Sequence, residues 1–96
     1  MTVSPINISG ADQALVARAC LFHGYTLAET AGAVASAIIY NDASGTSGGD
    51  APILATVKLA ANQSVDVMYS VPLSAQYGVY IDIVAGAIAG SVRIGS

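Results

Sequence analysis

Apolar residues in this chain come in short runs cut by Gly, Pro, Asn, Ser or Asp. That rhythm belongs to an all-β sandwich or barrel. It is clearest in the second half. In Ile53-Leu54-Ala55-Thr56-Val57-Lys58-Leu59, one face takes Ile53, Ala55, Val57 and Leu59, and the other takes Thr56 and Lys58. Ala60-Ala61-Asn62-Gln63 reads as a hairpin connection. Ser64 to Ser70 alternates again, with Val65, Val67 and Tyr69 opposite Ser64, Asp66 and Met68. Pro72 and Gly78 bracket a turn region. Gly78 to Ala85 then sends Val79, Ile81 and Ile83 inward and Tyr80 and Asp82 outward. Ser91-Val92-Arg93-Ile94 carries the last alternation.

The first half is less regular. Val3 to Ile8 predicts a strand, interrupted by Ser9-Gly10-Ala11-Asp12. Leu15 to Phe22 predicts the next, with His23-Gly24 as a turn or bulge. Tyr25 to Thr30 follows and Gly32 breaks it; Ala33 to Tyr40 leads into a glycine-rich stretch. Six to eight strands in a single β-sandwich domain over residues 1–96 is the expectation. A short helix is the competing reading. Ala is the best helix former, and residues 11–22 and 28–39 are rich in it. Gly24, Gly32 and the β-branched pair Ile38-Ile39 weigh against that helix.

Charge changes the picture. Only 9% of the residues are charged, against roughly 25% in an ordinary soluble domain. A free monomer usually coats itself in charge, so the composition predicts a surface partly covered by partners, in a homo-oligomer (dimer or trimer) or a larger assembly. With three basic and six acidic residues the net charge is −3. Arg18, Lys58 and Arg93 are scattered and form no basic stripe, which argues against nucleic acid. Met-Thr-Val-Ser-Pro lacks the basic start and apolar block of a secretory signal. No apolar run approaches the ~20 residues that span a bilayer. Synthesis and folding in the cytoplasm, away from membrane, is therefore expected. Without that signal, the glycosylation-type triplets at Asn7 and Asn62 are coincidental. Cys20 is the one cysteine, so no intramolecular disulfide forms; between Ala19 and Leu21 it reads as a small buried hydrophobe.

Residues 43–52, ASGTSGGDAP, hold a Gly-x-Ser-x-Gly match, and His23, Asp42 and Ser47 follow the chymotrypsin order of a catalytic triad. The match does not carry the chemistry. A nucleophile elbow needs a helix after the serine and a histidine beyond it, and here Pro52 and a strand follow. A chymotrypsin-like site needs two barrels, about twice this chain. The stretch reads as a mildly acidic, glycine-rich loop between strands. Asp42 and Asp50 lack the alternating acids of a calcium loop, and no Lys or helix follows the glycines to cradle phosphate. Glu29, the only glutamate, has no carboxylate partner at a recognisable spacing for glycosidase chemistry. No enzyme activity, cofactor or metal is expected. Interaction is the better expectation, with Tyr80 and Asp82 on a polar sheet face, Asp42 and Asp50 in the loop, and Phe22 and His23 beside the first bulge as interface candidates.

The stretches ARACLFHGYTLAETAG, ASAIIYNDASG, APILATVKLAANQSVDV and GVYIDIVAGAIAGSVRI resemble segments of small tailed-bacteriophage virion proteins, capsid decoration (cement) proteins among them. The resemblance runs from about Leu15 to Ile94 and contains no diagnostic motif. It implies a small β-sandwich, jelly-roll-like or tulip-like. It further implies a structural role on the outer capsid surface of the virion, with the major capsid protein as partner and no catalytic residues. A receptor- or carbohydrate-binding module of a tail or fibre is the alternative.

Overall fold

A computed structural model describes residues 3–45 and 51–95. Eight strands make up the described chain: β1 (Val3–Asn7), β2 (Gln13–Val16), β3 (Cys20–Glu29), β4 (Ala35–Tyr40), β5 (Ile53–Leu59), β6 (Ser64–Ala75), β7 (Val79–Ala85) and β8 (Ile88–Gly95). They form two four-stranded sheets, in the orders β1-β8-β3-β6 and β2-β7-β4-β5, and every pairing is antiparallel. The fold is an all-β sandwich, and no described residue is helical. Pairing is nested: β1 with β8, β2 with β7, β3 with β6 and β4 with β5. A long double hairpin wound into two sheets in this way is a jelly roll.

Only β4 and β5 are neighbours both in sequence and in a sheet. The glycine-rich loop between them is thus the tip around which the whole nested hairpin folds. All other connections cross from one sheet to the other. This corrects the hairpin expected at Ala60–Gln63: β5 ends at one sheet's edge and β6 begins at the other's. Local turn residues look alike in both cases, and only the pairing partners separate them.

Two more boundaries differ from expectation. Leu15 to Phe22 is not one strand: β2 ends at Val16, exposed Ala17-Arg18-Ala19 carries the chain between sheets, and β3 starts at Cys20. His23-Gly24, expected as a turn or a bulge, takes the second form, so the strands expected on either side of it are one. It is a bulge within β3, which continues to Glu29. On the β6 side the bulge is large, because Phe22 pairs Leu73 and Gly24 pairs Met68, leaving residues 69–72 opposite His23. Gly24 is required here. Its φ is +149°, and a Cβ on it would lie 1.9 Å from the Val67 carbonyl oxygen. Pro72, expected in a turn, lies within β6; an edge strand tolerates a residue without an N–H.

The sheets meet on their apolar faces. Phe22, Leu27, Ile39, Val79, Ile81 and Val92 are the largest fully buried side chains. Phe22 anchors an aromatic group, with ring centroids 6.4 Å from Tyr25 and 5.8 Å from Tyr69. Small residues, Ala35, Ala37, Ala55 and Ala75, fill much of the remaining interface. The alternation expected for β5 and β7 is present from Ala55 on and at the start of β7, with Ala55, Val57, Leu59, Val79 and Ile81 buried, but Ile53, expected on the same face, is exposed at the register slip between Ile39 and Tyr40.

Candidate functional site

Three of the expected interface residues converge on the outer face of the β2-β7-β4-β5 sheet. Tyr80 of β7 pairs with Ala14 on one side and Tyr40 on the other, and Asp82, one step on, pairs with Ile38. Tyr80 is half-buried rather than exposed. The start of the β4–β5 loop lies over its ring, where a Cβ on Gly45 would stand 2.5 Å from the Tyr80 Cζ. Gly78 is equally tight under the same segment: its Cβ would lie 2.2 Å from the Val16 carbonyl oxygen and 3.2 Å from the Asp42 carbonyl oxygen. The loop is pinned by Asn41, whose N–H donates to the Pro52 carbonyl (2.8 Å) and whose Oδ1 accepts from the Tyr77 N–H (2.9 Å). Asp42 is buried and its Oδ1 accepts from the Ser44 N–H at 3.2 Å. Residues 41–45 are thus laid down on β7 rather than projecting. Asp50 and Ser47 lie outside the described residues.

Asp12, which pattern reasoning missed, joins this face. Its Oδ1 accepts from the Ile83 N–H at 2.8 Å. Burial, then the neighbouring Asp12 charge and a hydrogen bond with it, raises the Asp82 carboxyl above its ordinary 3.8. The Tyr80 hydroxyl is raised first by burial and then by Asp12, Asp82 and Asp42. Both shifts favour the protonated form, so the Tyr80 hydroxyl is not activated as a nucleophile. Among the described residues no three His, Cys, Asp or Glu side chains are placed to hold a metal ion.

Phe22 and His23 sit in the other sheet. Phe22 is fully buried, so its ring belongs to the core and presents nothing to a partner. His23 is also buried, in the β3 bulge, and its Nε2 has no hydrogen-bond partner. It is in no hydrogen-bonded relay through that nitrogen. Cys20 is buried as expected, and burial raises its thiol pKa, with Arg18 opposing. A thiol held in its neutral form is a poor nucleophile.

The polar clusters on this second sheet tie strands together. Arg93 of β8 reaches across β3 to β6, donating to Asp66 Oδ1 (2.8 Å) and Thr26 Oγ1 (2.7 Å), while the Thr26 hydroxyl donates to Asp66 Oδ1 (3.0 Å). The Arg93 and Thr26 hydrogen bonds hold the Asp66 carboxyl below its ordinary value. Glu29, at the end of β3, makes a clasp. Its carboxylate accepts from the N–H groups of Ala31 (2.6 Å), Gly32 (2.8 Å) and Asn62 (2.9 Å). The Asn62 bond leads the causes that lower its pKa. One side chain thereby joins the β3–β4 turn to the β5–β6 crossing.

The apolar surface concentrates elsewhere. Strand β6 is an outer strand, paired only with β3. It exposes Met68 (58%), Val71 (77%) and Leu73. From Val67 to Ile81 the chain carries no charged residue. That charge-free run is legible in the sequence, but its location on an edge is not. No described helix is long and apolar enough to cross a membrane. No protein-family model, curated protein or solved structure matches the chain.

Proposed function

We propose that the protein is a structural assembly component, docking on neighbouring chains through the edge strand β6, which carries no charge beyond Asp66. The finer proposal follows the resemblance of its sequence: a decoration protein on the outer capsid of a tailed bacteriophage, assembled in the host cytoplasm, that bridges subunits of the major capsid protein.

One observation carries the reading. An edge strand that must stay free is blunted with charge, a bulge or Pro. Strand β6 has the bulge and Pro72, which block pairing of its backbone with another strand, so the reading rests on its side chains, which carry no charge after Asp66. Pro72 removes a backbone donor, so simple strand addition is impeded, and the exposed Met68, Val71 and Leu73 side chains are left to make contact. Apolar patches of this kind mark association sites. The mechanism is mass action: a module that binds the assembled shell and not its separated subunits adds RT ln(1 + [L]/Kd) to the work of disassembly.

The test has two stages. Sedimentation velocity at micromolar concentration should give a dimer or trimer, and Val71→Asp should shift it to monomer while keeping the far-UV circular dichroism spectrum of the folded sandwich. Cryo-electron microscopy of the purified particle should then place the sandwich on the capsid faces. A protein that is monomeric, absent from shells and retained by glycans would favour the receptor- or sugar-binding alternative, with exposed Tyr77 as its ring.

A further inference from the structure

The other end of the β2-β7-β4-β5 sheet carries a shallow apolar groove of ≈ 390 Å³, lined by Val34, Ala35, Ser36, Lys58, Leu59, Ala60 and Ala85. Sheet register explains it. Ser36 of β4 pairs with Lys58 of β5 on one side and with Ala85 of β7 on the other. Two small side chains therefore form the floor of a row whose next neighbour across β4 is the larger Ile38. The register slip between Ser36 and Ala37 leaves Val84 unpaired and exposed beside the floor. Gly86 closes the end, its φ of +77° letting the chain turn with a would-be Cβ only 2.7 Å from the Val34 carbonyl oxygen. Val34 forms a wall and is 73% exposed.

The charge pattern narrows what fits. Lys58 is one of three basic residues in a chain with twice as many acids. Arg93 is engaged by Asp66, whereas no described carboxylate lies within 4.0 Å of the Lys58 ammonium. An unpaired cation at the rim of an apolar groove, with a hydroxyl beside it, complements a ligand that has an apolar body and a single anionic head. The volume is at the low end of the range for small-molecule sites, ~300–1,000 Å³, so the ligand is small.

We propose that this groove binds short-chain amphipathic monocarboxylates, the tail lying on Val34 and Ala85 and the carboxylate on Lys58 and Ser36. A charged acceptor on an ammonium, supported by a hydroxyl, distinguishes the acid from the equivalent alcohol. The site lies on the sheet that does not contain β6, so it operates whether or not the edge strand docks on a neighbour.

Octanoate is the probe, titrated into the uniformly labelled protein below its micelle concentration and followed by amide chemical shifts. Saturable shifts confined to the groove residues are expected, with a Kd of about 1 mM or tighter for a ligand of this size. Octanol and acetate should each bind at least about fivefold more weakly, and so should octanoate to Lys58→Met. Ala85→Leu, which fills the floor from an exposed position, should abolish the shifts while leaving the melting temperature unchanged. Octanol binding as tightly as octanoate, an unchanged affinity in Lys58→Met, shifts that map elsewhere or a titration that never saturates would each overturn the proposal.

Discussion

Phe22 gives the most direct test of how this sandwich holds together. It is fully buried, between the sheets, and meets the rings of Tyr25 and Tyr69 at 6.4 Å and 5.8 Å. Phe22→Ala removes a ring from a core whose other buried members are mostly Ala, Val, Ile and Leu. Phe→Ala truncations in cores cost about 3–5 kcal/mol, from lost transfer free energy and the cavity left behind. Loss of the aromatic contacts, about 0.5–1.5 kcal/mol per pair, moves the expectation to the upper part of that range. A domain of this length has roughly 5–14 kcal/mol in total. The variant should therefore lose a third or more of its stability. In guanidinium chloride, with m near ~2 kcal/mol/M, the midpoint should fall by about 2 M. Equilibrium unfolding followed by far-UV circular dichroism and tyrosine emission, at one fixed protein concentration, measures it. Phe22→Leu, which keeps most of the volume, should cost about 1–2 kcal/mol. A loss below about 1.5 kcal/mol for Phe22→Ala at unchanged m would refute the reasoning, because it would mean the neighbouring tyrosines collapse into the space.

Three further outcomes are expected. Glu29→Gln leaves part of the clasp on Ala31, Gly32 and Asn62 without an acceptor, so the melting temperature should fall; equal melting curves at neutral pH would count against the clasp. Because its hydrogen bonds hold Glu29 below its ordinary 4.5, its contribution is present above that value and disappears as pH falls through the lower folded value; the wild-type and Gln variants should thus converge in strong acid. Asp82 has the opposite sign: its carboxyl is raised above 3.8 by burial and by Asp12, so the ionised form weakens the fold at neutral pH. Asp82→Asn should accordingly raise the melting temperature at pH 7, with the gain shrinking as pH drops through the raised value, and a lowered melting temperature at pH 7 would contradict this. Gly24→Ala places a Cβ 1.9 Å from a backbone oxygen and should cost at least about 2 kcal/mol in the same denaturation assay, whereas Gly32→Ala, with open space around the Cβ, pays only for its positive φ and should cost less.

Much of the architecture follows from side-chain pattern alone. Alternation in Ile53–Leu59 and Val79–Ala85 arises because a strand sends successive residues to opposite faces, and a sandwich buries one face of each sheet. That periodicity, the Gly and Pro punctuation and the scarcity of charge establish an all-β class. The same local logic predicts a strand after Pro52, where a nucleophile elbow would need a helix, and β5 starts at Ile53. Pairing is another matter. Whether Ala60–Gln63 turns a hairpin or crosses between sheets depends on partners tens of residues away, as Val3↔Gly95 and Cys20↔Ala75 illustrate. Strand ends follow the same rule. Exposed Arg18 marks the crossing from β2 to β3, while Gly24, which by sequence could be a turn or a bulge, is a bulge needed for the close approach of Val67. Surface identity also came from the tertiary structure. Tyr80 alternates outward as its sequence position requires, yet the chain at Gly45 covers it; Phe22 and His23, which precede Gly24, are buried. Conversely, the uncharged run from Val67 to Ile81 is plain in the sequence and neutral in meaning until β6 is found at an edge. Local periodicity decides which face a residue takes. What lies against that face is decided by long-range hydrogen bonding and loop packing, which no stretch of the chain encodes by itself.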